Sequence, residues 1–345
     1  MYKQFIRPLV FCSKPEKQYK CFLRLVRFAH SIFGPHLIRF THRYESPALG
    51  RELFGLKFKN PVGLAAGFDV NGEFVNDMAD YGFSFVEIGS LSSTPQNGFD
   101  KPKVVRLRKD KAVIGRTGGK NKGVKQITQN IEGRYENIIL AASIIPNGTS
   151  HKDEEMIKDY ETAFSLFYDF ADMFTVNISM PNESGVLTVE DTTSLADVMD
   201  PLLDLRLCYD KYKPILIKVS PDIPYEQLDA MLDYCMLSGV DGVIAGGPTR
   251  KRDGLTCNVR KIKGIPLGGL SGAPLFKQNL ALVKHISEHT KGRFPIIACG
   301  GIMKPEQAVE MLSAGASLIQ LQTGIIYEGP KLVKKTLKRI VSNPS

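Results

Sequence analysis

Three glycine clusters in the second half of the sequence have the residue types that can hold an anionic group. Gly300 and Gly301 follow one apolar run, Thr323 and Gly324 follow the next, and residues 268–272 (GGLSG) precede a helical pattern. Glycine lets backbone N–H groups approach an anion closely, and the start of a following helix adds positive partial charge. Each cluster alone also fits a tight turn between a strand and a helix. All three in this order predict a bound phosphate group.

Two polar residues interrupt apolar runs that are otherwise typical of buried strands. Lys218 lies near the end of the run 215–219, where a lysine is seldom buried without a partner. Asn177 lies similarly near the end of residues 174–179. A lysine in this place can stabilise the negative charge that a reduced flavin carries near its N1 atom, or it can form a salt bridge to a neighbouring strand. The sequence leaves both roles of Lys218 open.

These residues need a scaffold that brings the ends of several strands together. Eight short apolar runs follow one another from residue 60 onward, at residues 62–66, 83–88, 138–144, 174–179, 215–219, 242–245, 295–299 and 318–321. Amphipathic helical patterns cover residues 154–170, 195–209, 225–237, 275–289, 305–313 and 332–340. Strands that are apolar throughout and alternate with helices indicate a parallel sheet buried on both faces. Eight such units are typical of a (β/α)8 TIM barrel, with an open doubly wound sheet as the alternative.

Two insertions follow predicted strands, on the face where such barrels carry their chemistry. Residues 91–120 contain a predicted antiparallel hairpin, Val104–Leu107 against residues 112–114, with its turn at residues 109–111. Residues 248–270 follow the sixth strand and are rich in glycine, lysine and arginine. We expect both insertions to border the site.

The N-terminal segment, residues 1–45, differs from the barrel domain predicted for residues 46–345. It carries nine lysines and arginines against two glutamates, in a chain with a net charge of +9. Residues 16–40 predict one or two amphipathic helices, divided by Gly34 and Pro35. An apolar face flanked by basic residues is typical of a helix that lies in a membrane interface. The same pattern fits helices that dock on the barrel, and the sequence leaves both possibilities open.

Several classes of protein are disfavoured by the composition. The chain has no run of eighteen apolar residues that would span a bilayer, and its charged start argues against a signal peptide. Six scattered cysteines without a CxxC pair indicate a reducing compartment, with neither disulfides nor a metal site. Nucleic acid is a poor candidate partner, because the sequence has no zinc-finger spacing, RNA-binding aromatic motif or basic-region heptads.

A series of motifs along the whole chain resembles that of a known family. In order, they are MYKQFIRPLVF, KNPVGLAAGFD, GFSFVEIGS, DKPKVVRL, VNISMPN, IKVSPD, DGVIA, GGLSGAPL, FPIIACGGI and ASLIQLQTG. This series is similar to that of the class 2, quinone-dependent dihydroorotate dehydrogenases. The resemblance implies an FMN flavoprotein of pyrimidine biosynthesis that oxidises dihydroorotate to orotate and passes electrons to a membrane quinone. It also implies a cytoplasmic protein that is peripheral on the inner face of the cell membrane.

The resemblance assigns roles to particular residues. The positions that would contact FMN are Ala66, Gly67, Ser90, Ser143, Asn177, Lys218, Gly246, Gly272, Gly300, Gly301, Gln322 and Thr323. Asn177 and Asn182 would hydrogen-bond the orotate ring. Ser90 would replace a threonine beside the flavin, and Gln322 stands where the family usually has a tyrosine.

The departures from the family pattern lie at positions with catalytic or substrate-binding roles. The family places a serine or cysteine, which acts as the catalytic base, where this chain has Met180. A thioether does not accept a proton, so no intact catalytic residue is identified, and loss of a positioned base costs ~10²–10⁴-fold in rate. Val70 stands where the family has a lysine that meets the substrate carboxylate and the flavin, and Ser143 replaces an asparagine.

Two asparagines that recognise orotate in the family are also missing. Gly115 replaces one, and Gly247 replaces the other because the family motif TNTT is GGPT at residues 246–249. A site built to hydrogen-bond its substrate loses on the order of 1–3 kcal/mol for each missing partner. Asn177 and Asn182 remain, and the orotate pocket is predicted to be dismantled.

The sequence therefore leaves three functions open. The first is a working but divergent dihydroorotate dehydrogenase. The second is an FMN-binding oxidoreductase with another small-molecule substrate, for which Lys218 and the glycine clusters are retained. The third is a catalytically inactive barrel that serves as a scaffold or sensor at the membrane surface.

Overall fold

The computed structural model describes residues 2–12, 15–100, 103–148, 153–178, 192–257, 265 and 268–343, and confirms the predicted (β/α)8 barrel. Eight parallel strands form a closed barrel in which each strand pairs with its successor and the eighth pairs with the first. In chain order the barrel strands are Val62–Leu64, Phe85–Leu91, Ile139–Ile144, Met173–Asn177, Ile215–Val219, Gly242–Ala245, Ile296–Cys299 and Leu318–Leu321. The closed sheet excludes the open doubly wound alternative.

The fifth, sixth and eighth strands have the predicted bounds, and the other strands differ at their ends. The first strand ends at Leu64 and not at residue 66. Its backbone turns at Gly67, where φ is 89°, and the Gly67 N–H donates to the carbonyl oxygen of Gly89 at 2.8 Å. A positive φ is accessible to glycine at little cost, so this residue ends the strand at the mouth of the barrel.

The interior of the barrel is filled by side chains below the mouth. Phe58 and Phe85 pack edge to face at 5.4 Å between ring centroids, with Met173, Leu216 and Ile297 among the buried residues of the same cluster. The short hairpin of strands Arg51–Leu53 and Leu56–Phe58 supplies Phe58. Among the described residues, the carboxyl ends of the strands are therefore where a ligand site is expected, as in other barrels of this type.

The helices form the outer layer and bury apolar faces against the strands. They are Val75–Asp80, Val124–Asn130, Asp153–Phe167, Thr192–Leu207, Tyr225–Ser238, Phe276–His289, Pro305–Ser313, Thr323–Glu328 and Lys331–Ser342. The predicted helix at residues 305–313 has its predicted bounds, because Pro305 is favourable in the first turn. The other predicted helices differ by a few residues at one or both ends.

The two insertions meet in one small sheet. The predicted hairpin is present as Val104–Leu107 against Ala112–Gly115, and a third strand, Gly269–Gly272, pairs antiparallel with the second. The GGLSG cluster was predicted to open a helix, and this is wrong for its last four residues, which are extended. A 3₁₀ turn, Ala273–Leu275, separates them from the helix Phe276–His289.

The N-terminal segment docks on the barrel. The Tyr2 hydroxyl donates to the Ile326 carbonyl at 2.6 Å, and the Arg7 guanidinium donates to the Tyr327 carbonyl at 3.2 Å. The long helix Pro15–His42 is divided at Gly34 (φ 69°, ψ 161°), which is the predicted break. Docking is therefore shown for part of the segment.

The same segment also exposes large apolar side chains. Phe28 is 61% exposed, Ile32 58% and Phe40 82%, and Leu37 is exposed beside them in the chain. Within the described residues, no helix is both long and apolar enough to cross a membrane.

Candidate active site at the barrel mouth

A buried ion pair lies across the barrel from strand to strand. Lys218 on the fifth strand places Nζ 3.4 Å from Oε2 of Glu87 on the second strand, and Glu87 is fully buried. Burial, the largest single cause, lowers the pKa of Lys218, but the charge of Glu87, the neighbouring Cys299 and the hydrogen bond to Glu87 together raise the pKa overall. Lys218 thus remains an ammonium group near the mouth, and the salt bridge that the sequence left open is present.

Glu87 also accepts hydrogen bonds from the eighth strand and from the turn after the first strand. Its Oε2 atom accepts from Nε2 of Gln320 at 2.9 Å and from the backbone N–H of Ala66 at 3.0 Å. The sequence analysis missed Glu87 and Gln320. Both are polar residues inside apolar runs, and this signal, which singled out Lys218, would have found them.

A chain of hydrogen bonds joins the ends of the second, third and fourth strands. Asn177 Nδ2 donates to Ser90 Oγ at 3.0 Å, and Ser90 Oγ lies 2.8 Å from Ser143 Oγ. Ser143 is fully buried and Asn177 nearly so. The structure therefore brings together three of the residues that were predicted to contact a cofactor.

The glycine turns lie on the other half of the mouth. Gly300 and Gly301 have φ values of 97° and 82°, and a Cβ on Gly301 would lie 2.4 Å from the backbone N of Phe276. Phe276 begins a 14-residue helix, whose free N–H groups carry positive partial charge. The helix whose start lies beside this turn therefore precedes the seventh strand. The helix that follows the seventh strand begins only at Pro305.

Two hydroxyl groups complete this half. Ser271 Oγ lies 2.9 Å from Thr323 Oγ1, next to Gly272, where φ is 115° and a Cβ would lie 2.4 Å from the Lys111 carbonyl oxygen. The Gln322 side chain reaches from the end of the eighth strand to the first, since a Cβ on Gly67 would lie 2.9 Å from its Nε2 atom. Hydroxyls and close-packed glycine backbone are suited to hold an anion.

Two further glycines have open space where a side chain would be. No atom of the described chain lies within 4 Å of a Cβ placed on Gly247, and on Gly115 only the Gly269 carbonyl oxygen does, at 4.0 Å. In contrast, a Cβ on Gly246 would lie 2.8 Å from the amide of Asn279, a residue that the sequence analysis missed. The space next to Gly246 is filled, whereas the space at Gly115 and Gly247 is open among the described residues.

Asp69, next to Val70, has a structural role. Its carboxylate accepts from the backbone N–H groups of Glu73 at 2.9 Å and Phe74 at 2.7 Å. Burial nevertheless raises its pKa to about 6. Met180 and Asn182, the predicted base position and second orotate-binding residue, lie outside the described residues.

Comparison with known proteins agrees with this geometry. The family model described as dihydroorotate dehydrogenase matches residues 48–343. The chain is 37% identical to the dihydroorotate dehydrogenase (quinone) of Christiangramia forsetii, covering 99% of both chains, and 34% identical to that of a Psychrobacter species, covering 98% of this chain and 97% of the relative. The chain belongs to the quinone-dependent dihydroorotate dehydrogenase family.

Solved structures extend the agreement to three dimensions. The dihydroorotate dehydrogenase of Eimeria tenella in complex with ferulenol superimposes with a TM-score of 0.83 at 26% identity, covering 97% of this chain and 94% of that chain. Its ligand-free form gives 0.81 at 26% identity, covering 91% and 94%.

Proposed function

We propose that this family member binds FMN across the barrel mouth. The observation that carries the proposal is the retained anion site: Gly272, Gly300 and Gly301 all have positive φ, and a Cβ on any of them would collide with neighbouring atoms. Thr323 and Ser271 add hydroxyl groups beside Gly272.

Two groups of residues at the mouth would hold different parts of FMN. The glycine turns, Thr323 and Gln322 would bind the phosphate, and Ala66, Gly67 and the Ser90–Ser143–Asn177 chain would contact the ring and its side chain, with Gly246 nearby. Lys218, kept charged by Glu87, would place a positive charge at the pyrimidine edge. When bound, FMN supplies a reversible acceptor of hydride.

We further infer that oxidation of dihydroorotate is severely impaired. Met180 offers no base, and a lost base costs ~10²–10⁴-fold in rate. Val70 removes a cation from the substrate carboxylate, and Gly115 and Gly247 leave open space in place of two asparagines. Most residues that handle the proton and the substrate are thus altered, while Lys218, Thr323 and the glycines that would hold the phosphate remain.

One experiment separates these statements. The purified protein is expected to show a flavin visible spectrum or to acquire one with added FMN. Anaerobic dihydroorotate should then bleach it slowly or not at all. A colourless protein that does not take up FMN would overturn the cofactor proposal and favour the inactive scaffold or sensor. Rapid bleaching would show a working dihydroorotate dehydrogenase.

The open space supports a second candidate, an FMN oxidoreductase with another substrate. Gly247 is buried, yet a side chain there would meet no described atom within 4 Å. A substrate without the carboxylate of dihydroorotate would not need the lysine that Val70 replaces. The test is reduction of the bound flavin by a panel of neutral cyclic amides, with dihydroorotate as the reference. Failure of the whole panel would count against this candidate.

We also propose that residues 1–45 form a segment distinct from the barrel at residues 46–345 and contact the inner face of the cell membrane, where a quinone would accept electrons. The exposed Phe28, Ile32 and Phe40 of this segment support the proposal. The protein should co-sediment with vesicles of anionic lipid, and serine at these three positions should abolish sedimentation. Three equivalent serines at Leu166, Leu207 and Leu237, which are exposed on the barrel, provide the control.

A further inference from the structure

Asn279 belongs to none of the motifs described above, yet its side chain reaches the glycine turns at the barrel mouth. It lies in the first turn of the helix Phe276–His289 and is fully buried. A Cβ on Gly300 would lie 2.3 Å from its Nδ2 atom, and a Cβ on Gly246 would lie 2.8 Å from its Oδ1 atom. The amide therefore fills the space between the ends of the sixth and seventh strands.

The amide of Asn279 has no hydrogen-bond partner among the described residues, at either Nδ2 or Oδ1. Most buried polar groups in native proteins are hydrogen-bonded, and an unsatisfied group is destabilising. Here the fully buried donor abuts Gly300, in a turn that we assign to the phosphate, and the fully buried acceptor abuts Gly246. Such an arrangement is expected where a bound ligand completes or tightens the hydrogen bonds of the neighbouring glycine turn.

We propose that Asn279 is a positioning residue of the phosphate site, which holds the Gly300–Gly301 turn from the helix side. Its amide and the carbonyl oxygen of Cys299, which lies 2.3 Å from a Cβ placed on Gly246, together occupy the room at Gly246, where the family motif has a threonine. The change at residue 246 is then part of a rebuilt cofactor site and not a sign of its decay. This proposal rests on FMN binding.

The charges and hydrogen-bonding groups around Asn279 make the proposal specific. The start of the helix at Phe276 contributes positive partial charge beside Gly301, and the Asn279 amide adds a polar group without net charge. A carboxylate of the same size would introduce a negative charge next to the phosphate. A leucine of similar size would fill the same space without a hydrogen bond.

The test compares FMN with riboflavin, which lacks the phosphate. Binding of each to Asn279→Asp, Asn279→Leu and the unaltered protein is followed by quenching of flavin fluorescence. We expect Asn279→Asp to weaken FMN binding on the order of tenfold or more, because the repulsion between the carboxylate and the phosphate is Coulombic. Riboflavin affinity should change by less than about twofold, and Asn279→Leu should weaken FMN binding several-fold.

Other results overturn the proposal. Equal losses for FMN and riboflavin would mean that Asn279 only packs the core, and unchanged FMN affinity in both variants would mean that it has no role at the turn. Thermal unfolding of each variant checks that it is folded. If the unaltered protein binds neither flavin, the proposed function itself fails. A failure confined to the difference between FMN and riboflavin concerns Asn279 alone.

Discussion

Two sets of glycines at the barrel mouth have diverged to different degrees. We call the part with Gly246, Gly272 and Gly300 the cofactor half, and the part with Gly115 and Gly247 the substrate half. On the cofactor half, Gly246 and Gly300 lie against a buried side chain, and Gly272 lies against backbone. On the substrate half, Gly115 and Gly247 face space that no described side chain has refilled. Among the described residues, the closely packed glycines are thus those of the cofactor half. A site that was decaying throughout would lose packing on both halves, so the difference supports the proposals that binding of the cofactor is maintained and that recognition of the substrate has changed.

The largest expected effect tests whether the substrate half can be rebuilt. Combining Met180→Ser with Val70→Lys, Gly115→Asn and Gly247→Asn should raise dihydroorotate turnover by up to ~10²–10⁴-fold, because it restores the base and its substrate contacts. Met180→Ser alone should recover only a small part, as measured by anaerobic bleaching and steady-state dye reduction. Full recovery from that single change would show that the substrate half is intact.

The ion pair on the cofactor half should be needed for stability. Lys218→Met leaves the Glu87 carboxylate buried without its cation and should lower the free energy of unfolding by ~3–5 kcal/mol. The double variant Lys218→Met with Glu87→Gln removes both charges and should be less destabilised than Lys218→Met alone. Urea unfolding measures both. Equal losses would indicate that Glu87 and Lys218 are not coupled.

The pH dependence of stability tests the raised pKa of Asp69, which lies next to Val70. Its pKa of about 6 in the folded protein exceeds the ordinary value of 3.8, so the folded state keeps the proton over this interval. The contribution of Asp69 to stability should be fully present below about pH 4 and should be lost, at a cost of ~3 kcal/mol, as the pH rises through about 6. Asp69→Asn should remove this fall from the pH profile of thermal unfolding, whereas Asp100→Asn at an exposed position should not. An unchanged profile in Asp69→Asn would contradict the raised pKa.

A matched pair of glycine substitutions gives the smallest but most direct comparison. Gly300→Ala places a Cβ 2.3 Å from Asn279 Nδ2 at a residue with φ of 97°, and should weaken FMN binding about tenfold. The Cβ of Gly247→Ala would meet no described atom within 4 Å, so this variant should change FMN affinity by less than about twofold. Fluorescence titration with FMN measures both. Similar affinities for the two variants would remove the distinction between a packed and an open half.

Much of the fold was accessible from the sequence because its signals are local. Apolar runs and helical patterns predicted all eight barrel strands, and the polar Lys218 inside such a run predicted a special position. Its partner was not predicted, because Glu87 lies 131 residues away in the chain and meets it only through barrel closure. Asn279 escaped for a similar reason: an asparagine early in a helix is ordinary in sequence, and only the neighbouring glycine turns give it meaning.

The small sheet made by the two insertions has a consequence for laboratory evolution of this protein. Gly115 is paired directly with Gly269, and Ala112 with Gly272, so an open substrate-half position and a cofactor-half glycine share one ladder of hydrogen bonds. A side chain that shifts one strand will move the other. Libraries that vary residues 112–115 alone will therefore miss productive combinations, and selection for a new substrate should randomise both strands together while scoring retention of FMN.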